Sequence, residues 1–155
     1  MDDAEVRIAR ASDLPDYFRL AREFVAVLPT TSIVGVDDEA LSDFLSRAID
    51  NPHIGVWLAE RDGNIIGICG ALAYPLYFNP QHTVVQELWW WLTPAARGGS
   101  TAKKLMRTIE EWAAEQSASA LFMIALDNQN GDRVSQFYTR SGFQPMERTF
   151  VRKVS

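Results

Sequence analysis

From Ile54 to Leu92 the chain is dense in valine, isoleucine, tryptophan and tyrosine, and two short polar breaks, Asp62-Gly63 and Asn79-Pro80-Gln81-His82, interrupt it. β-Branched and aromatic side chains fit a pleated, half-buried surface, and so long a run exceeds the length of any ordinary single strand. Asp-Gly supplies the positive φ angles that a two-residue hairpin turn demands. The run therefore predicts two antiparallel strands between Ile54 and Phe78, a turn at 79–82, and a third long strand from Thr83 to Leu92 that stops at Thr93-Pro94. Alternation along the third strand places Glu87, Trp89 and Trp91 on one face.

Such a sheet needs cover, and the flanking residues have the right periods to provide it. Glu5 to Arg10 alternates as a half-buried strand. Leu14, Phe18, Ala21, Val25 and Leu28 then recur at helical spacing behind an Asp13 cap and a first-turn Pro15, and Pro29 ends that helix. A loop over Thr30–Val36 leads to a second amphipathic helix from Asp37 to Asp50, whose acidic start suits the helix dipole. After Gly98-Gly99, Ala102, Leu105, Met106, Ile109, Trp112 and Ala113 form the core face of a further helix. A buried strand over Ala120–Leu126, a short helix from Asp132 to Arg140 capped at Gly142, and a last strand over Glu147–Val154 complete the order. With no repeat or linker, residues 1–155 read as one mixed α/β (α+β) domain, a mostly antiparallel central sheet flanked by helices.

Fifteen basic residues against twenty acidic ones give a net charge of -5, which excludes a broad phosphate-binding surface for nucleic acid. A single cysteine, Cys69, excludes an internal disulfide framework and a cysteine-based zinc cluster, and its apolar setting predicts burial. No metal site is expected. No stretch is long enough to span a membrane, and Met-Asp-Asp-Ala-Glu lacks the basic, apolar character of a signal peptide, so a cytoplasmic, reduced protein is expected.

Chemistry is expected where the third long strand meets the next helix, at Leu92-Thr93-Pro94-Ala95-Ala96-Arg97-Gly98-Gly99-Ser100-Thr101-Ala102. Amides at a helix N-terminus attract anions, glycines let a ligand approach the backbone, and Arg97, Ser100 and Thr101 add hydrogen-bond donors. A tight turn packed against the sheet would look the same. A Walker A loop is excluded because no Gly-Lys-Ser/Thr occurs. Gly98-Gly99-Ser100-Thr101-Ala102 approaches a serine nucleophile elbow, yet the two histidines, His53 and His82, both precede Ser100, the wrong order for that hydrolase triad.

Arg97-Gly98-Gly99-Ser100-Thr101-Ala102 resembles the signature Arg/Gln-x-x-Gly-x-Gly/Ala of the GNAT superfamily of N-acetyltransferases, with Ser100 in place of a glycine. Phe137-Tyr138-Thr139-Arg140-Ser141-Gly142-Phe143 resembles its late motif Phe-Tyr-x-x-x-Gly-Phe, and the order of elements from Val6 to Val154 agrees. Glu87-Leu88-Trp89-Trp90-Trp91-Leu92-Thr93-Pro94 is similar to the strand before the loop, and its tryptophan-rich form is similar to phage-encoded members.

The resemblance implies the acyl-CoA N-acyltransferase fold and acetyl-CoA as cosubstrate, with direct transfer to an amine. By resemblance Glu87 is the general base, acting through water, and Tyr138 the general acid toward the sulfur. Leu92 and Thr93 would pair with the pantetheine arm, Arg97, Gly98, Gly99, Ser100, Thr101 and Ala102 would hold pyrophosphate, and Lys103 or Lys104 would meet outer phosphate. Asn130, beside the position where members commonly carry asparagine, is a further candidate contact to the coenzyme. The acceptor, a small molecule or a protein amine, would sit between the first two helices and Tyr74-Pro75-Leu76-Tyr77-Phe78, aromatics that equally suit a homodimer contact. The other reading is a catalytically weak acyl-CoA-binding or protein-interaction module on the same fold, and convergence of Glu87 and Tyr138 would separate the two.

Overall fold

The structure, a computed structural model, describes residues 4–128 and 130–155. Among them five strands form one sheet in sequential order: β1 (Glu5–Ile8), β2 (Ile54–Arg61), β3 (Asn64–Leu76), β4 (Asn79–Leu92) and β5 (Ala120–Phe122). The first three pairings are antiparallel, and β4 with β5 is parallel. The Asp62-Gly63 turn has the positive φ values, 51° and 76°, that its residues predict. The next turn falls at Tyr77-Phe78 instead of at 79–82, and Asn79 already belongs to β4.

Helices cover both faces. On one side α1 (Leu14–Ala26) and α3 (Asp38–Ile49) bury Tyr17, Leu20, Ala21, Leu45 and Ala48 against Val56, Leu58, Ile68 and Trp89. On the other, α4 (Thr101–Glu115) buries Leu105, Ile109 and Ala113 against Ala59, Cys69, Ala71, Val85 and Leu92. Helix α5 (Gly131–Arg140) covers the end of β4 on that same side, where Tyr138 meets Trp90 at 5.7 Å between ring centroids. As expected, Cys69 is fully buried, and Gly142, at φ 93°, caps α5 as Phe143 N bonds Tyr138 O.

Four expectations are corrected. Asp13 does not cap α1 with its side chain. Its carboxylate accepts from Arg10 N, one turn earlier, and from both Nη atoms of Arg7 at 2.8 Å, while Arg7 also reaches Glu60. The loop expected over Thr30–Val36 contains a helical turn, α2 (Thr31–Val34). The strand expected over Ala120–Leu126 is paired only to Phe122. The last strand expected over Glu147–Val154 is not formed, and residues 144–155 lie exposed along their whole length. A strand exists only where another strand supplies its hydrogen bonds, and among the described residues neither segment has a further strand neighbour.

One buried hydroxyl ties α1 to the sheet. Tyr17 Oη donates to Cys69 O at 3.0 Å and accepts from Trp89 Nε1 at 2.6 Å, and Tyr17 is fully inaccessible. Tyr17→Phe removes both bonds and leaves a buried indole N–H without a partner. A loss of about 2–3 kcal/mol is expected, read from the urea unfolding midpoint. A change under about 0.5 kcal/mol would show that the pair contributes little beyond packing.

Candidate active site

The geometry of the site starts from a β-bulge. Glu87 pairs with Ala71 and Trp89 with Gly70, so two steps along β4 match one along β3 and Leu88 is the additional residue. Side chains alternate from face to face, and one additional residue inverts the alternation. Val85 and, with it, Glu87 therefore face α4 and α5, whereas Trp89 and Trp91 face α1 and α3. The expectation that Glu87, Trp89 and Trp91 share a face is overturned. After the bulge it is Trp90 and Leu92 that lie on the side of Glu87.

Glu87 is 4% exposed, and burial alone pushes its carboxyl up to about 8. No cation lies near enough to hold it ionised. Its charge is felt by Tyr138, whose hydroxyl is raised first by burial and then by Glu87, so Tyr138 carries its proton throughout the neutral range. The structure thus turns the two residues expected to carry chemistry toward one side of β4. Tyr138 Oη donates to Ile124 O at 2.8 Å. Its ring sits in an aromatic layer with Trp90, Phe137 and Phe143, at centroid distances of 5.7 to 6.2 Å. The indole N–H of Trp90 is buried there without a hydrogen-bond partner. Neither Trp90 nor Ile124 was singled out beforehand, since strict alternation sets Trp90 on the face away from Glu87 and Ile124 acts through its backbone carbonyl.

Beside this face β4 and β5 part. Their pairing ends at Gln86 with Phe122. Thr93 N bonds Ile66 O, so Leu92, one step earlier, turns its own amide and carbonyl away from β3 toward the gap, and Trp90 does the same by the period of two. An extended ligand arm could add there as a strand would. One acceptor is already used, because Arg97 Nε donates to Leu92 O at 3.1 Å. The Arg97 guanidinium lies 4.6 Å from the Trp91 ring centroid, and Trp91 Nε1 donates to Glu23 on α1.

The loop after β4 fits an anion in part. Gly98 holds φ 86° with open space where a Cβ would stand, Gly99 and Ser100 are exposed, and the Ser100 hydroxyl does not cap the first turn of α4. Thr101 is corrected: it is fully buried, so its hydroxyl does not face a ligand. Ala102 is half-buried, Thr93 likewise, and Leu92 is part of the core. Lys104 Nζ binds Ala4 O at 2.9 Å, which leaves Lys103 as the exposed lysine of this turn. Asn130 precedes α5 and is exposed. Tyr77 and Phe78 are exposed and contact each other at 5.2 Å, and His82 meets Ser119 Oγ at 2.7 Å. The residues present therefore suit the coenzyme that the resemblance implies through the strand gap, the glycine turn and the helix start, and not through Thr101.

The raised carboxyl of Glu87 has a stability consequence. An unfolded Glu titrates near its ordinary value of 4.5 and the folded one near 8. Between these values the folded state keeps a proton that the unfolded state has lost. The group's contribution therefore falls as pH rises through this window, by at most roughly 1.4 kcal/mol per unit, and levels off above it. Glu87→Gln is expected to remove that slope. Urea unfolding of both proteins at about pH 5, 6.5 and 8 checks it, and parallel stability curves would show that Glu87 is solvated.

Comparison with known proteins places this geometry. No curated protein sequence matches the chain. The family model for the acetyltransferase (GNAT) family matches residues 17–143. Among solved structures, AAC(6')-Iy in complex with the bisubstrate analogue CoA-S-monomethyl-acetylneamine superposes with a TM-score of 0.77 at 20% identity, over 99% of this chain and 100% of that one. The ribosomal-protein-alanine N-acetyltransferase from Brucella melitensis gives 0.74 at 17% identity, over 97% and 98%. AAC(6')-IG from Acinetobacter haemolyticus, an aminoglycoside 6'-N-acetyltransferase, gives 0.74 at 20% identity, over 97% and 99%. These structures share the fold, and the match from Tyr17 to Phe143 takes in the bulged strand, the glycine loop and the Phe-Tyr helix: the chain belongs to the acetyltransferase (GNAT) family.

Proposed function

We propose that this protein is an acetyl-CoA-dependent N-acetyltransferase that moves an acetyl group directly to a primary amine of a small molecule or a protein. The observation that carries the reading is the pairing of a desolvated Glu87 with Tyr138 on the same side of β4, next to the gap between β4 and β5. Family membership and the solved relatives described as aminoglycoside and ribosomal-protein-alanine acetyltransferases support an amine acceptor.

In this reading acetyl-CoA, lying along Trp90 and Leu92 with its pyrophosphate at Gly98–Ser100, supplies an activated thioester. The residues of the chain manage the protons. The amine, a cation in water, must lose one before its nitrogen attacks the acetyl carbon, and Glu87 accepts it through water. A carboxylate with a pKa near 8 is a stronger base than an exposed one, although only its ionised fraction works. As the carbon–sulfur bond breaks, Tyr138 gives its proton to the departing sulfur. Burial serves Tyr138 as well, since it keeps the phenol protonated. Arg97, fixed on Leu92 O and Trp91, adds positive charge at the loop. The negative net charge, with Glu23 exposed beside Trp91, favours an acceptor bearing more than one amine.

The first test is the melting temperature with acetyl-CoA, with AMP and ATP as controls. Ligand at about a hundred times its dissociation constant adds roughly 2.7 kcal/mol, a shift of several degrees. A shift with acetyl-CoA alone is expected, followed by acceptor-dependent thiol release on a panel of aminoglycosides and alanine-terminated peptides. Binding without turnover on any amine would favour the weak or inactive module, and no shift would remove the coenzyme. Tyr138→Phe is expected to lower kcat by at least about 100-fold while acetyl-CoA affinity changes less than about threefold. An unchanged kcat would take Tyr138 out of the mechanism. The activity of the parent should rise with pH through about 8 as Glu87 ionises, and a profile that is flat there would exclude Glu87 as the base.

A further inference from the structure

The adjacent tryptophans of β4 use their indole N–H groups differently. Trp89 Nε1 donates to Tyr17 and Trp91 Nε1 to Glu23, whereas Trp90 Nε1 is buried and no protein group accepts from it. A buried donor left unpaired costs the folded state the desolvation of that group. Stacking does not require it. The Trp90 ring lies 5.7 Å from Phe137 at 26° and 5.7 Å from Tyr138 at 30°, contacts that a phenylalanine ring could also make.

The surroundings of the indole narrow its partner. Trp90 pairs with Cys69 across the β3–β4 ladder and packs on Tyr138, and the charge of Glu87 reaches both of those residues. The indole therefore shares one enclosure with the residues read as base and acid. An indole N–H only donates, so its partner is an acceptor. At the reacting end of acetyl-CoA the strong acceptor is the thioester carbonyl oxygen, which free coenzyme A lacks. We propose that Trp90 Nε1–H donates a hydrogen bond to the carbonyl oxygen of the acetyl thioester, which makes Trp90 a further catalytic residue. The assignment rests on the reading of the protein as an acetyl-CoA-dependent acetyltransferase.

The bond strengthens as the reaction proceeds. When the amine nitrogen bonds to the acetyl carbon, the carbonyl π pair moves onto oxygen, and a fixed N–H in a water-poor site stabilises that charge. The pair returns to the carbonyl as the carbon–sulfur bond breaks, and sulfur leaves with the electrons of that bond and takes the Tyr138 proton. Trp90 keeps its own proton throughout. Access follows from the same chemistry. Tyr138 must release Ile124 O before its proton can reach sulfur, so the entering thioester opens the aromatic layer that closes over the indole.

Nitrogen–proton correlation spectra read the indole directly. The chain has five tryptophans, and Trp90→Phe, which keeps a ring for Phe137 and Tyr138, identifies the Trp90 signal by its loss. Sequential assignment of the parent serves if that variant does not fold. Saturating acetyl-CoA is expected to move the Trp90 signal downfield, and saturating coenzyme A to leave it in place. By calorimetry Trp90→Phe is expected to bind acetyl-CoA about fivefold more weakly with coenzyme A affinity unchanged. Its kcat on the best acceptor of the amine panel is expected to fall about 100-fold. A parent that binds neither coenzyme overturns the acetyltransferase reading and this proposal with it. Where both bind, a signal that moves equally with coenzyme A, or one that stays in place with acetyl-CoA, overturns the role of Trp90 alone. An unchanged kcat in folded Trp90→Phe does the same. A signal already downfield without ligand, or one that follows pH through about 8 as Glu87 ionises, gives the indole to water or to Glu87 and also overturns it.

Discussion

One additional residue in β4 organises the site. Without the bulge at Leu88, a strict two-residue alternation would carry Glu87 to the same side as Trp89 and Trp91, against α1 and α3, and away from α5. The bulge lets a single strand send Glu87, Trp90 and Leu92 to one side and Trp89 and Trp91 to the other. Trp89 anchors the strand through Tyr17, Trp90 receives α5 on its ring, and Trp91 supports Arg97. Three adjacent tryptophans thus have three different tasks, which the strand separates by direction. Gly70, opposite Trp89, has no side chain because the indole lies where one would stand.

Two carboxylates show how position decides chemistry. Asp13, half-buried, accepts two hydrogen bonds from Arg7, which holds its carboxyl down to about 2. Its ion pair stabilises the junction of β1, β2 and the first helical turn above the usual carboxylate range, and that contribution is lost as pH falls through the folded value. Glu87 is deeper and has no cation, so the cost of burying charge goes uncompensated and its carboxyl rises to about 8. Proteins seldom retain an unpaired acid in such a place for stability alone, because a neutral isostere would fold better. The same burial raises the Cys69 thiol and the Tyr138 hydroxyl, with the Glu87 charge as the second cause in each.

The split between β4 and β5 links fold and ligand. A parallel pair that stops after three residue pairs leaves backbone groups of Trp90 and Leu92 facing the gap. Arg97 occupies Leu92 O on the β4 side and rests on Trp91, so the loop that would meet phosphate is also joined through Glu23 to α1. In the proposed function, side chains from this one strand would connect the coenzyme side with the acceptor side.

The elements on each side of this gap differ in how far residues alone define them. The hairpin at Asp62-Gly63, the core faces of α3 and α4, the burial of Cys69 and the Gly142 cap follow from local rules, namely turn chemistry and the 3.6- and 2-residue periods, whereas α1 buries Tyr17 and Leu20 beside Ala21 in place of the expected Phe18, Val25 and Leu28. The identity of Glu87 and Tyr138 as candidates came from two motifs in the right order. Their facing did not, because a bulge depends on how β3 and β4 settle into register, and a period counted along one strand assumes none. Thr101 reads as a ligand donor in a motif and lies inside once α4 docks, while Asp13 reads as a cap and is taken by Arg7. The segments 120–126 and 147–154 have strand-like residues, yet a strand's hydrogen bonds belong to its neighbour, so pattern specifies the wish to pair and the assembled sheet decides whether a partner is there.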